Sequence, residues 1–161
     1  MNTEAHDGRD ESADERSDRN WAELLQELRV MQMGVQILTG FLLTLPFQQR
    51  FADLDDFQTG VYLTLVGLAV LSTGLFVAPV SLHRALFRKH RKTALVTLSD
   101  RVARVGVLVL AFVVTETVLL VVDVVVARGP ALWASGVTLV VLAGLWFVLP
   151  RVVSARGATS D

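Results

Sequence analysis

The sequence contains no cysteine, which excludes disulfide staples, thiolate nucleophiles and cysteine-based metal or redox centres. Histidine is nearly as scarce: His6, His83 and His90 all fall in tail or loop sequence. No nucleophile is accompanied by a plausible base, so an enzyme is not expected. No phosphate-cradling glycine loop and no metal-ligand spacing occurs either, so neither a cofactor nor a metal is expected. The first twenty residues lack a basic start leading into a short apolar core and a small-residue cleavage site, so the first apolar span is expected to remain uncleaved. Charge is missing over long runs. Residues 30–47, 57–82 and 131–149 contain no Asp, Glu, Lys or Arg.

What is present fits those uncharged runs. Hydrophobic residues make up 52% of the 161, and the mean hydropathy is +0.50. Such a chain is too apolar for an ordinary solvated domain and reads as a membrane protein. The formal charge of −1 hides an acidic head, a basic middle and uncharged stretches between them. Residues 1–20 hold seven acids and three arginines with almost nothing apolar to drive collapse, and they read as a disordered tail.

From Trp21 the apolar residues recur at helical steps, through Leu24, Leu28, Met31, Val35, Leu38 and Leu42. The first span covers about 30–47, long enough to cross some 30 Å of hydrocarbon at about 1.5 Å per residue. Below Arg29 it carries a polar stripe of Gln32, Gln36 and Thr39. A lipid-facing amide would be left unpaired, so this stripe is expected to face protein and hydrogen-bond between helices. Asp55 followed by Gln58 forms a capping box that opens the second span, about 57–80. Gly60, Thr64, Gly67, Gly74 and Ala78 share one face there, where they would admit another helix.

The residues from Trp21 to Gln58 also resemble a known family. The run Leu24-Leu25-Gln26-Glu27-Leu28-Arg29-Val30, then Gly34-Val35-Gln36-Ile37-Leu38, Leu42-Leu43-Thr44-Leu45-Pro46-Phe47-Gln48 and Asp55-Asp56-Phe57-Gln58 carry the likeness. It continues at Ala78-Pro79-Val80 and His83-Arg84 and weakens toward Pro150. The family consists of small four-pass membrane proteins of high-GC (actinobacterial) bacteria, catalogued only as a domain of unknown function. The resemblance implies topology and lineage and carries over no functional residue.

Between residues 84 and 104 lie seven bases, Arg84, Arg88, Lys89, Arg91, Lys92, Arg101 and Arg104, against one acid, Asp100. Short basic loops stay in the cytoplasm. Arg84, Arg88, Lys89, Arg91 and Lys92 are therefore expected to sit on anionic lipid, each contributing about 1 kcal/mol. Nucleic-acid binding is not expected from the same charges, since no recognition fold accompanies them. The third span, about 105–126, contains eleven valines; its length without a turn signal makes it a helix rather than a strand. Glu116 sits near its middle and Asp123 two turns beyond, on a stripe with Gly106, Val109, Val113 and Leu120 that should face the bundle. A neutral Glu116 hydrogen-bonded to Gln36, Thr39 or a neighbouring helix is expected. Asp123 is expected to pair with Arg50 or Arg128. After the tight Arg128-Gly129-Pro130 turn, the fourth span covers about 131–149, ended by Pro150 and followed by a short tail at 151–161.

The reading is an all-α, polytopic four-helix bundle in the inner (plasma) membrane with both termini cytoplasmic. Thirteen bases would then lie inside and two, Arg50 and Arg128, outside. Two functions fit these residues. One is a non-enzymatic scaffold or accessory subunit that associates with itself, another membrane protein or anionic lipid. The other is a small proton- or cation-coupled carrier or channel built on Glu116, with Asp123 and Gln36 alongside.

Overall fold

The computed structural model describes residues 13–86, 92–149 and 151–152, with side chains for Arg19 and for residues 22–81, 98–149 and 151–152. Four helices make up nearly all of it. They are α1 (Ala13–Thr44), α2 (Asp56–Leu86), α3 (Lys92–Val125) and α4 (Arg128–Ala143), the last continued by a π-helical turn, Gly144–Val148. All four are long and apolar enough to cross a membrane, over Ala22–Phe47, Asp56–Ser81, Leu98–Val125 and Arg128–Val148. In hydrocarbon a helix satisfies every interior backbone N–H and C=O within its own segment, and this is why the valine-rich third span is helical despite its β propensity.

Three boundaries differ from the sequence reading. First, α1 begins at Ala13, inside the stretch read as a disordered tail. Within it Arg19 pairs with Glu23 one turn on at 3.9 Å. Residues 1–12 lie outside the described residues.

Second, the basic segment is mostly helix. Arg84 lies in the last turns of α2, Lys92 opens α3, and Arg104 pairs with Asp100 at 2.8 Å across one turn of α3. A helix leaving the membrane keeps its backbone bonds while its charged side chains reach water, so nothing forces it to end at the membrane surface. Arg88, Lys89 and Arg91 lie outside the described residues. Third, α4 starts at Arg128, three residues early, because Pro130 falls in the first turn, where a missing N–H costs no helical hydrogen bond. At its far end Arg151 and Val152 are helical, beyond the proline expected to stop the helix. Pro150 itself lies outside the described residues.

The helices α2 and α3 form the central pair. Of the most apolar window in each span, 28% is buried for α2 and α3 but 11% for α1 and α4. Leu65, Ala69, Phe76 and Val113 are at most 1% exposed. α1 lies against α2 and, less extensively, α3, whereas α4 lies against α3. Two short 3₁₀ turns, Leu45–Phe47 and Gln49–Asp53, connect α1 to α2 and fold Phe51 edge-on to Tyr62, with centroids 5.0 Å apart. The Tyr62 hydroxyl donates to the Leu42 carbonyl at 3.1 Å, so the buried phenol has a partner and the end of α1 is tied to α2.

The stripe predicted on α3 does face the bundle. Gly106, Val109, Val113, Leu120 and Asp123 are all buried and Glu116 is half-buried among them in sequence. The small-residue face of α2 does the opposite. Gly60, Thr64, Gly67 and Gly74 are exposed, with Ala78 half-buried at the end of the stripe, and nothing lies within 4 Å of where a Cβ would stand on any of these glycines. Within this chain the close helix approach is made elsewhere, by Gly106 of α3 against Phe76 of α2.

Candidate functional site

Two sets of polar side chains lie within the spans, and they differ in how fully they are partnered. The first gathers where α2 begins, α3 ends and α4 begins. Asp55 and Gln58 form the expected capping box: the Gln58 backbone N–H donates to Asp55 Oδ1 at 2.8 Å, and the Asp55 N–H donates to Gln58 Oε1 at 3.1 Å. That reciprocal bond turns the Gln58 amide nitrogen toward α3, where it donates to Asp123 Oδ2 at 3.0 Å. Arg128 closes the set. Its Nε and Nη2 reach Asp123 Oδ1 and Oδ2 at 3.1 Å each, a bidentate fork, and Nη2 also reaches Asp55 at 2.7 Å. The guanidinium carbon lies 3.8 Å from the centroid of the Phe57 ring.

The Asp123 side chain is 3% exposed and those of Arg128 and Asp55 are 42% and 55% exposed. A nearly buried carboxylate is thus compensated by a cation that keeps one face toward the membrane surface. Arg128 begins α4, where the helix dipole disfavours a cation, and the two carboxylates offset that. Of the two bases expected to meet Asp123, Arg128 does so. Nothing local to residues 55–58 signals that Gln58 serves both its own cap and Asp123, or that Phe57 carries the guanidinium. Only the juxtaposition of three helix ends reveals either.

The second set is Glu116, and it is not assembled as expected. Oε2 of Glu116 is buried with no hydrogen-bond partner among the described residues. The nearby hydroxyls are spent on their own helix, Thr115 on the Ala111 carbonyl at 2.8 Å and Thr117 on the Val113 carbonyl at 2.7 Å. Thr39 likewise donates to the Val35 carbonyl at 2.7 Å. Gln36 is exposed on the outside of α1 and Gln32 is half-buried. The polar stripe of α1 therefore does not meet Glu116. The buried face of α1 is set by Leu28, Val35 and Leu42, at a seven-residue interval that turns Gln36 away from the bundle. Asp123, about 10 Å along α3 from Glu116 at about 1.5 Å per residue, is committed to Arg128.

The architecture and these side chains define a four-helix, multi-pass membrane protein whose helix ends are clasped by an Asp–Arg–Gln cluster. The chain belongs to DUF6328, a family of unknown function, whose model matches residues 10–150. No curated protein and no solved structure matches it.

Proposed function

We propose that the chain is a non-enzymatic scaffold or accessory subunit of the inner (plasma) membrane, associating through helix faces and through its basic segment. The observation that supports this is the outer face of α2. Gly60, Gly67 and Gly74 recur every seven residues there, exposed and with open space where a side chain would project. A second transmembrane helix gains close backbone packing against such a face, while lipid tails gain little from it. With Cys introduced at Gly67 in this cysteine-free chain, a discrete cross-linked adduct is expected in native membranes. Gly67→Leu should abolish association through this face without unfolding the chain, because residue 67 is exposed and a Cβ there has nothing within 4 Å. Absence of any adduct from position 67 would remove the basis of the reading.

The orientation that goes with this role puts both termini and the basic segment in the cytoplasm, on the strength of thirteen bases against two. Arg84, Arg88, Lys89, Arg91 and Lys92 would then lie on the anionic leaflet. A cysteine at position 90 should be protected from an impermeant reagent added outside intact cells, and labelling there would reverse the topology.

A second reading, a small proton- or cation-coupled carrier, is favoured by the unpartnered buried Oε2 of Glu116. Glu116→Gln keeps the shape and hydrogen-bonding capacity but removes the titrating proton. On the scaffold reading, Glu116→Gln and wild type behave alike in liposomes, in assembly and in proton or cation flux alike. Flux that is present in wild type and lost in an equally well assembled Glu116→Gln protein would establish the carrier instead.

A further inference from the structure

The outer side of α1 carries a seam that nothing among the described residues covers. Ala22, Gln26, Arg29, Met33, Gln36, Gly40 and Leu43 follow one another at alternating steps of four and three, and every one of them is exposed. Met33 and Leu43 are 52% and 54% exposed. That spacing averages 3.5 residues, the repeat that keeps one face of a helix against a parallel partner through a left-handed supercoil. The buried stripe of α1 is separate from it, comprising Leu28, Val35 and Leu42.

The centre of this seam is Gln36. Its amide makes no hydrogen bond among the described residues. Seven residues separate it from Arg29, about 10 Å along the helix, which is further than a glutamine side chain reaches toward the headgroups. An amide at that depth facing lipid leaves two donors and an acceptor unsatisfied. One turn on stands Gly40, with nothing within 4 Å of where its Cβ would be.

We propose that a second copy of this chain covers the seam, giving a parallel two-fold dimer in which Gln36 of each copy hydrogen-bonds Gln36 of the other. The proposal rests on the reading of the chain as an association module and names one partner for it. Three features select a copy over another occupant. All copies insert with one orientation, so a two-fold axis along the membrane normal brings identical α1 residues together in parallel. A carboxamide both donates and accepts, so it is complementary to itself. Beyond Arg29 the seam runs Met33, Gln36, Gly40 and Leu43, and one polar residue in such a small or apolar stretch is the device that fixes register and a two-stranded state. The Arg29 side chains meet at the edge of the hydrocarbon, where their length carries the charges apart into water.

The test uses the full chain in liposomes, with single cysteines at positions 40, 41 and 140. Phe41 and Val140 are 69% and 72% exposed, but Phe41 lies off the seam and Val140 is on α4. Oxidation should convert Gly40→Cys to a covalent dimer at least ten times more completely than Phe41→Cys or Val140→Cys. In the Gly40→Cys background, Gln36→Leu should reduce that yield several-fold and Gln36→Asn should restore part of it. The monomer fold should be unchanged, since Gln36 is exposed and makes no hydrogen bond among the described residues. Equal cross-linking from all three positions, no cross-linking at 40, or indifference to Gln36→Leu would each overturn the seam. An adduct at position 67 without a dimer at position 40 would sink this inference while leaving the association reading intact. A chain without adducts at either position would sink both.

Discussion

Gly106→Leu is expected to be the most damaging single substitution in the membrane core. A Cβ at this position would lie 2.7 Å from Cε1 and 3.0 Å from Cδ1 of Phe76, and 3.4 Å from Cβ of Leu75. Phe76 is 1% exposed, so its ring is enclosed by neighbours on every side. A new side chain at 106 must displace that ring within the core or push α2 and α3, the central pair, apart. Even Gly106→Ala should cost about 1–3 kcal/mol, the usual range for overpacking a filled core, and the leucine should exceed it. Separation would also lengthen the contact between the Ser72 hydroxyl and the Gly106 carbonyl, 3.4 Å apart and buried. Reversible unfolding in mixed micelles reads the loss directly. Gly106→Ala combined with Phe76→Leu should be markedly less destabilised than the sum of the two single variants, because the smaller side chain vacates the space the new methyl needs. Gly67→Ala is the internal control: its Cβ enters open space, and alanine is the better helix former by about 1 kcal/mol. Simple additivity at 106 and 76, or equal penalties at 106 and 67, would mean that α2 and α3 do not meet at Gly106.

Arg128→Ala should be the most damaging change among the charged residues of the spans. It leaves Asp123, with a side chain 3% exposed, holding its charge against Gln58 alone. Breaking such a pair from one side is worse than never having had it, because the desolvated charge that remains has lost its compensation. The expected order of thermal destabilisation is Arg128→Ala, then Arg128→Lys, then Asp55→Ala. Lysine keeps the charge but has neither the planar fork that binds both Asp123 oxygens nor the flat face that lies on Phe57. Asp55 contributes a cap to α2 and one half-exposed ion pair, so its removal costs about 1 kcal/mol through the cap and little through the charge. Asp123→Asn should rescue part of the Arg128→Ala loss by removing the orphaned charge while keeping an acceptor for Gln58. An Arg128→Ala protein as stable as Asp55→Ala would show that Asp123 is compensated by something other than this arginine.

These two positions also show where sequence reading reaches its limit. Asp55 and Gln58 are recognisable as a capping box because the signal is local, three residues apart in one turn. The Gln58 amide reaching Asp123, sixty-five residues away, has no local signature. Gly106 stood among the residues of the inward stripe, but that it leaves no room for a side chain follows from Phe76, on another helix. The glycines of α2 illustrate the converse. Their spacing suggested a face that admits another helix, yet no part of the described chain lies within 4 Å of where their Cβ atoms would stand.

Uncharged runs of membrane-spanning length determined the number of helices, because hydrocarbon leaves a spanning backbone no alternative to satisfying its hydrogen bonds within the helix. The same logic placed the α3 stripe, since a carboxyl group is too costly to face lipid. The rotation of α1 was decided only in the tertiary structure. Its sequence offers two faces, one polar with Gln36 and one apolar with Leu28, Val35 and Leu42. Packing against α2 and α3 chose the apolar one, because shape-filling side chains gain more there than an amide that would have to find Glu116 across the bundle. That choice leaves Glu116 unpartnered, Gln36 on the outside, and Asp123 and Arg128 clasped to each other at the helix ends.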